Sequence, residues 1–394
     1  MEVDLDQDSI EIELQAEKKG LLLKYREYVV FSKRHKMSVQ RRYNDFSSFY
    51  DVLLMRYPYR IIPKLPPKKI GANKEFIEGR RRALKRFLTI IMKHPAMRDD
   101  NIISYFLSYT GSDVGSKLKE QFKGVPDEFI TNPLSSKAKD MVPSDTQGNL
   151  ANSRQQIFTI HRCLMQVKDV IDRLASRTDG NSQDMITFSR NMLILSEESS
   201  AITNWATGGR NTWQLLQKGF KSLVEPFTAL AEKYAIYSTK ETQDVGDCLE
   251  MFLDITTGYK DLLERHEKGV LRDHQLALNK MQQYKQKHHI ATVKNVDSID
   301  QLEQRIYQQE DAIHTMENRN YFSLYCLQME TQLIHSNLNM LIEMLRNLVD
   351  VEIKKHIELA ALWEEIRVPV DSIASSTIRV QSPVSPSAPP AYFE

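Results

Sequence analysis

The chain has 394 residues, enough for two or three domains, and its 53 basic and 52 acidic residues leave a formal charge of +1. Because the charge is balanced, no global field draws the protein to nucleic acid or to a membrane, and any such binding must be local. The three cysteines, Cys163, Cys248 and Cys326, lie far apart, which argues against a disulfide framework or a zinc site and favours a reducing compartment.

The acidic tail at residues 1–8 lacks the apolar character of a signal peptide, and no run of about 18 apolar residues follows it, so we expect neither secretion nor a membrane span. Alternating apolar positions then predict three strands, over residues 9–14, 25–31 and 37–43. Asp45 is a suitable N-cap for the helix after them. A proline-rich extended segment at 63–68 and helices over 73–94 and 102–107 complete a small α+β domain.

The triplet Arg41-Arg42-Tyr43 lies where the third strand is predicted to end. Two guanidiniums beside an aromatic ring can hold a phosphate by forked hydrogen bonds and stack on a sugar-like ring. By itself the triplet is more often a solvated strand edge whose tyrosine packs on the core. However, Lys68 closes the proline segment and Arg80 lies near the start of the next helix. Three separate elements therefore each supply a cation, as a doubly charged headgroup requires.

Together these residues resemble the phox-homology (PX) domain, the phosphoinositide-binding module of the sorting nexins, over residues 9–110. The resemblance rests on the Arg-Arg-Tyr…Asp-Phe signature at 41–46, the proline segment and the helix that contains Arg80. It implies one role for each of four residues: the 3-phosphate for Arg42, the inositol ring for Tyr43, the phosphate nearer the lipid tails for Lys68, and the remaining ring hydroxyls for Arg80. The implied ligand is a 3-phosphorylated inositol lipid, most simply phosphatidylinositol 3-phosphate.

Other residues near this motif have weaker predicted roles. Lys69, Arg81 and Arg82 are surface cations that we expect to steer an anion rather than to specify it. Ile70 is the only large apolar residue of its loop and is a weak candidate for membrane contact. Its insertion into a bilayer would contribute at most ~1.5–3 kcal/mol.

Residues 111–149 interleave apolar residues with lysines and are interrupted by Pro126, Pro133 and Pro143. One interpretation is an amphipathic segment on the membrane surface. The other is an apolar linker packed across the join between two domains, which the prolines favour because they interrupt a continuous helix.

From about residue 150 the apolar residues recur at the three- and four-residue steps of long helices. The first helix includes Gly180, the second includes Pro226, and the third is predicted as one helix of about seventy residues from Asp297, roughly 105 Å long. These helices predict an elongated, antiparallel, three-helix coiled-coil domain over residues 150–367. A thin bundle cannot bury so many apolar residues alone, so we expect a two-fold homodimer.

Because it follows a PX domain, this bundle resembles the BAR domain of the PX-BAR sorting nexins, and the segments 264–271 and 318–326 are similar to the sorting nexin 8 branch of that family. The resemblance implies a bowed, basic-faced dimer that binds phosphatidylinositol 3-phosphate from the cytoplasm, as a peripheral protein of early endosomes. It would sense or induce curvature for cargo sorting and endosome-to-Golgi transport. The alternative is a lipid-tethered dimeric scaffold that does not remodel membranes.

Cations are concentrated near the predicted connection between the second and third long helices. They are Lys280, Lys285, Lys287, His288, His289 and Lys294. We expect the lysines to contact an anionic membrane surface, each contributing ~1 kcal/mol at most. The alternative is a solvated helix end whose cations complement the helix dipole.

Residues 368–394 are rich in serine and proline and predict a disordered tail. The tail ends in Pro389-Pro390-Ala391-Tyr392, which has the form of a proline-proline-any-tyrosine ligand for a WW-domain protein. Such a short motif in a proline-rich tail also arises by chance.

We expect no enzyme activity and no cofactor or metal. The pairs His266-Glu267 and His288-His289 lie in charged helix surface, where we expect solvated histidines rather than a catalytic site. No phosphate-cradling glycine loop and no metal-ligand spacing accompanies them. The balanced charge and the lack of a recognised module also argue against a nucleic-acid partner.

Overall fold

The computed structural model describes residues 9–15, 26–69, 73–197, 210–294 and 299–380. They form two compact units, the first made of residues up to 165 together with 250–340, and the second of residues 166–249 together with those from 341 onward. Within the described ranges, the first unit contains the β-sheet and the shorter helices, and the second is helical. Every described helix is either too short or too polar for a transmembrane span.

A three-stranded antiparallel sheet begins the first unit. In the order in which they pair, its strands are β1 (Ile10–Leu14), β2 (Glu27–Ser32) and β3 (Met37–Arg42). Ile12 lies opposite Val30, and Val30 lies opposite Val39. All three side chains are buried, so the alternation that predicted the strands reflects one face packed on the core.

Four helices pack with this sheet. They are α1 (Tyr43–Arg56), α2 (Lys74–Lys93), α3 (Asn101–Ser108) and α4 (Val114–Gln121). The stacked rings of Phe49 and Phe106, 4.1 Å apart, lie in the shared core. The prediction that Asp45 caps α1 is wrong. Arg42 is the N-cap, and Asp45 lies in the first turn, where Oδ2 accepts a hydrogen bond from the Arg42 backbone N–H at 2.8 Å.

The segment after α4 is packed against protein. It contains α5 (Glu128–Thr131), a 3₁₀ turn (Ser135–Lys137) and α6 (Ala138–Met141). Leu118 of α4 is fully buried in the core beneath the sheet, and Phe122 packs against the same core. The Phe129 ring lies 5.7 Å from the Phe322 ring. Leu118, Phe122 and Phe129 thus pack against protein, whereas Ile130 is 64% exposed, so both interpretations of the segment stay open.

The remaining helices are long. They are α7 (Thr146–Ser196), α8 (Arg210–Lys240), α9 (Asp247–Arg265), α10 (Arg272–Lys294), α11 (Ile299–Ser336) and α12 (Asn339–Val380). Gly180 lies inside α7, which is a single helix as predicted. Helices α8, α9 and α10 are joined by π-helical turns at Glu241–Gly246 and His266–Leu271. The fold class, a small α+β domain followed by an all-helical region, is confirmed.

The prediction of one uninterrupted third helix is wrong. Helix α11 ends at Ser336, and α12 begins at Asn339. Between them, the backbone N–H of Asn337 bonds the Ile334 carbonyl at 3.0 Å, and the Asn337 side-chain amide donates to the Leu333 carbonyl at 2.7 Å. An asparagine side chain that binds a carbonyl in this way competes with the helical hydrogen-bond pattern, which explains the interruption.

Helix α12 also continues past the predicted start of the disordered tail, through residues 368–380. Ile366 and Ile373, seven residues apart, lie on one face of the helix, and both pack against the cluster around Leu230 of α8. This buried face stabilises the helix beyond Pro369, which is tolerated inside it. Residues 381–394, with the predicted WW ligand, lie outside the described residues.

The prediction that His266 is a solvated surface histidine is also wrong. It lies at the start of the second π-helical turn, only 6% exposed, with Nδ1 2.8 Å from Ser323 Oγ on α11. Burial lowers the pKa of His266 to about 4. Its neighbour Glu267 accepts hydrogen bonds from Arg154 of α7. His266 and Glu267 are thus structural residues. Their partners Ser323 and Arg154 lie on other helices, which the sequence alone does not identify.

Candidate functional site

The turn from β3 into α1 orients three consecutive side chains differently. The Asp45 carboxylate fixes the turn by accepting the hydrogen bond from the Arg42 backbone N–H. Arg41 is 1% exposed, whereas the side chain of Arg42 is 38% exposed. The two adjacent guanidiniums therefore do not form one phosphate-binding pair.

Arg41 holds the domain together instead. Its Nε and Nη2 donate to the Phe106 carbonyl at 2.9 and 2.6 Å, and Nη2 also donates to the Tyr109 carbonyl at 2.7 Å. Burial lowers the pKa of Arg41 to about 10, so the group stays charged at neutral pH. The triplet suggested that Arg41 helps to bind a phosphate. That prediction is wrong, because the N–H donors of Arg41 bind the carbonyl groups at the end of α3.

Arg42 contacts the buried carboxylate of Asp45 and the exposed carboxylate of Asp113. Its Nε lies 3.3 Å from Asp45 Oδ1, and its Nη2 lies 3.3 Å from Asp113 Oδ1. The pair with Asp113 joins residues 71 positions apart. A planar guanidinium at the surface can bind a phosphate by two parallel hydrogen bonds.

Tyr43 and Arg80 stack on each other. The Arg80 guanidinium carbon lies 5.0 Å from the centre of the Tyr43 ring and 4.8 Å from that of Phe76. Arg80 Nη2 donates to the Pro67 carbonyl at 3.2 Å, and the Tyr43 hydroxyl donates to the Pro66 carbonyl. Arg80 Nε is buried without a hydrogen-bond partner among the described residues. Burial raises the pKa of the Tyr43 hydroxyl, so it remains protonated and donates.

Lys68 contacts the residue that follows Tyr43. Its Nζ donates to Asn44 Oδ1 at 3.0 Å. Because Pro66, Pro67 and Lys68 contact Tyr43, Arg80 and Asn44 in turn, the extended proline segment is fixed against α1 and α2. Of the four residues predicted to contact the headgroup, Tyr43, Lys68 and Arg80 are linked through these contacts, whereas the Arg42 side chain contacts Asp45 and Asp113. Lys68 and Arg80 donate to neutral oxygens in these contacts, so their charges are available to an anion.

Of the neighbouring cations, Arg81 is held inside the domain. It bonds Glu78 on its own helix, and its Nη1 donates to the Ile12 carbonyl of β1 at 2.6 Å. Lys69 Nζ lies 5.4 Å from the centre of the Phe76 ring. Ile70 lies outside the described residues. Arg81 therefore contributes charge near the site but has a structural partner.

The analysis of the sequence missed three residues of this site. Asn44 directly follows the recognised triplet, so its position was a usable signal. Phe76 lies one helical turn before Arg80 and on the same face, which is a weaker signal. Asp113 gave no signal, since it comes 71 residues after Arg42 and reaches it only through the packing of α4.

The cations of α10 are a second predicted site. Lys280, Lys285 and Lys287 are exposed. Lys285 Nζ is 3.9 Å from Glu310 Oε1, and His288 Nε2 is 3.2 Å from Glu303 Oε1, both on α11. Part of the positive charge is thus compensated by α11. The side chain of Lys294 lies outside the described residues, as do Pro389, Pro390 and Tyr392.

Comparison with known proteins agrees with this architecture. The sequence model of the PX domain family matches residues 29–110, and that of the sorting nexin 8/Mvp1 BAR domain matches residues 124–377. Human sorting nexin-8 is 43% identical over 389 residues, which cover 98% of this chain and 83% of the human protein. Sorting nexin MVP1 of Kluyveromyces lactis is 23% identical over 377 residues, 92% of this chain and 73% of the yeast protein.

A solved structure shows the same fold. The cryo-EM structure of the SNX-BAR Mvp1 tetramer superposes with a TM-score of 0.71 at 20% identity, covering 91% of this chain and 99% of the Mvp1 chain. The matched domains occur in the same order as the α+β domain and the long helices described above. The chain therefore belongs to the sorting nexins, in the branch that joins a PX domain to a BAR domain of the sorting nexin 8/Mvp1 type.

Proposed function

We propose that this protein binds phosphatidylinositol 3-phosphate on the cytoplasmic face of early endosomes through Arg42, Tyr43, Lys68 and Arg80. PX-BAR sorting nexins function in membrane curvature and trafficking. As a homodimer, this one would sense or induce curvature during cargo sorting and endosome-to-Golgi transport. The observation that carries the proposal is that Arg80 of α2 lies over the Tyr43 ring at the start of α1, while Lys68 of the proline segment donates to the adjacent Asn44.

Each residue supplies a different interaction. Arg42 presents a planar, always charged fork, which suits the oxygens of the 3-phosphate. The Tyr43 ring offers a flat surface for the inositol ring. Lys68 is a compact cation at the end of the proline segment and suits the phosphate that joins the ring to the lipid tails. Arg80, whose guanidinium lies over the Tyr43 ring and whose Nη2 is at the exposed end of the side chain, can donate to the ring hydroxyls. These groups bind a headgroup and do not cleave it.

Helix α12 supports the proposed homodimer. It carries five apolar side chains at steps of three or four residues, each more than half exposed in the single chain. They are Ile342, Leu345, Val349, Ile353 and Ile357. Such a stripe on one face of a helix is the usual seam for a partner helix. Two headgroup sites on one dimer would increase the apparent affinity by ~10²–10⁴ without any new contact.

Liposome co-sedimentation across the phosphoinositide types tests the lipid assignment. We expect the parent protein to select 3-phosphorylated lipids and Arg42→Ala to lose at least ~10-fold in affinity, because charged hydrogen bonds contribute ~1.5–3 kcal/mol each. Arg34→Ala is the matched control, since Arg34 is a similarly exposed arginine of the same domain, paired with Asp99. Equal binding by parent and Arg42→Ala would remove the proposed site.

Electron microscopy of the same liposomes separates curvature activity from simple tethering. Replacing Lys280, Lys285 and Lys287 by alanine should weaken tubulation more than headgroup selectivity, since each lysine contributes ~1 kcal/mol near an anionic surface. The control replaces Lys93, Lys123 and Lys137, which are also exposed. Lipid binding by the parent without any tubulation would instead support a scaffold that does not remodel membranes.

A further inference from the structure

Asp113, which contacts Arg42 although it comes 71 residues later in the chain, has an unusual conformation. It is the N-cap residue of α4, yet its side chain makes no capping hydrogen bond. Its backbone lies in the left-handed region, with φ 54°. An aspartate at this position normally accepts a hydrogen bond from the first turn of the helix. Here its Oδ1 instead lies 3.3 Å from Arg42 Nη2.

The packing of α4 on α1 fixes the position of Asp113. A Cβ atom on Gly115 would lie 2.8 Å from Ser48 Oγ, so a larger residue there would force Ser48 to shift, which shows how closely the two helices approach. Leu118, one turn later, is fully buried in the core of the domain. The carboxylate is therefore held beside Arg42 by the fold, although 56% of the Asp113 side chain is exposed.

The carboxylates of Asp45 and Asp113, which both lie beside Arg42, differ in how firmly their other contacts hold them. Asp45 is 4% exposed and also accepts the backbone hydrogen bond that fixes the start of α1. It is therefore a permanent part of the turn. The Asp113 side chain makes no capping hydrogen bond to α4, and it is exposed to solvent. A phosphate approaching Arg42 can displace Asp113 far more easily than Asp45.

We propose that Asp113 is an affinity-determining residue that competes with the ligand phosphate for the Arg42 guanidinium. Carboxylate and phosphate oxygens accept the same forked hydrogen bonds from arginine. Binding of a phosphorylated inositol headgroup thus requires that Asp113 release Arg42. This inference rests on the proposed function, because it assumes that Arg42 is the phosphate ligand.

Asp113→Asn is the appropriate test, because asparagine keeps the shape, tolerates the left-handed conformation and removes the charge. We expect the full-length variant to bind soluble inositol 1,3-bisphosphate and vesicles containing phosphatidylinositol 3-phosphate about two- to fivefold more tightly, the range that an exposed ion pair supports. The gain should shrink as salt is raised to about 1 M, since salt screens the pair. Asp113→Gly, which also removes the charge and suits a positive φ, should behave alike.

Asp99→Asn is the matched control, since it removes an exposed carboxylate that pairs with Arg34 at 2.8 Å. If Asp113→Asn tightens binding to both ligands and Asp99→Asn does not, the competition is supported. If Asp113→Asn binds like the parent while Arg42→Ala loses binding, the competition is refuted and the lipid site stands. Equal gains in both aspartate variants would also refute it, because they would reflect only reduced repulsion. Retained binding in Arg42→Ala would overturn the proposed function itself.

Discussion

Arg60 Nη1 lies 3.1 Å from Glu330 Oε1, an ion pair that joins residues 270 positions apart and is almost completely buried. Glu330 Oε2 also accepts the Ile61 backbone N–H at 3.1 Å, and it lies 3.0 Å from His94 Nε2. Arg60 forms a second salt bridge, with Glu128 of α5. These contacts, together with burial, leave the pKa of Glu330 below its usual range, because nearby His94 and Arg60 outweigh the desolvation. The PX domain is thus joined to α11 within the first unit by charges that satisfy each other.

Removing one member of this buried ion-pair network should destabilise the folded protein. We expect Glu330→Ala to lower the free energy of unfolding by ~3–5 kcal/mol, because Arg60 and His94 would stay buried without their partner. Urea unfolding of the full chain measures the change. Glu310→Ala, which removes an exposed carboxylate of the same helix, should change stability by less than ~1 kcal/mol. Equal midpoints for both variants would show that the buried pair is not required.

Substitution of the two adjacent arginines should have different effects, on stability for Arg41 and on lipid binding for Arg42. Arg41→Ala leaves the Phe106 and Tyr109 carbonyls without their donor, so we expect a loss of ~2–4 kcal/mol in stability. Arg42→Ala should change stability by at most ~1 kcal/mol, because its ion pairs are partly exposed. Thermal unfolding of both variants, beside the lipid-binding measurement, checks this difference. A stable Arg41→Ala protein that has lost lipid binding would contradict the structural role of Arg41.

His266 should make stability depend on pH. Its pKa in the folded protein is about 4, against ~6.5 in the unfolded chain. As the pH falls below about 6.5, the unfolded chain therefore takes up a proton that the folded protein does not, and stability is lost until about pH 4. The difference of about 2.5 pKa units corresponds to ~3 kcal/mol.

His266→Asn, which can keep a hydrogen bond to Ser323, should flatten this part of the stability curve. His161, whose pKa is also lowered by burial and then by Lys260, is present in both proteins and cancels in the comparison. Unfolding midpoints measured between pH 7 and pH 4 decide the matter. Parallel curves for parent and variant would show that His266 is not protonated differently on folding.

The apolar stripe of α12 predicts the assembly state. Ile353→Asp places a charge within the stripe, so we expect it to shift the protein from dimer to monomer at micromolar concentration. The reason is that a charge without a partner in an apolar interface is strongly unfavourable. Light scattering coupled to size exclusion measures the mass. Lys354→Asp, an exposed change on a different face of the same helix, should remain dimeric, and an unchanged mass for Ile353→Asp would exclude the stripe as the seam.

Local patterns predicted much of the fold and of the site. The alternation of Ile12 with polar neighbours indicated a strand, and Ile12 indeed pairs with Val30 of the next strand. The resemblance to PX domains singled out Lys68, which donates to Asn44 beside Tyr43. Features that depend on distant partners could not be predicted in this way. The burial of Arg41 depends on the carbonyl groups of α3, and that of His266 depends on Ser323. Arginine is mostly exposed in proteins and histidine is intermediate, so pattern alone favoured the wrong environment.

The most direct test of the proposed site is a crystal structure of the protein with soluble inositol 1,3-bisphosphate bound. We predict the 3-phosphate within roughly 3.2 Å of the Arg42 guanidinium, Lys68 on the 1-phosphate, Arg80 on the ring hydroxyls and the inositol ring over Tyr43. Asp113 should then have moved away from Arg42. A headgroup bound elsewhere, with Arg42 still paired to Asp113, would contradict the assignment.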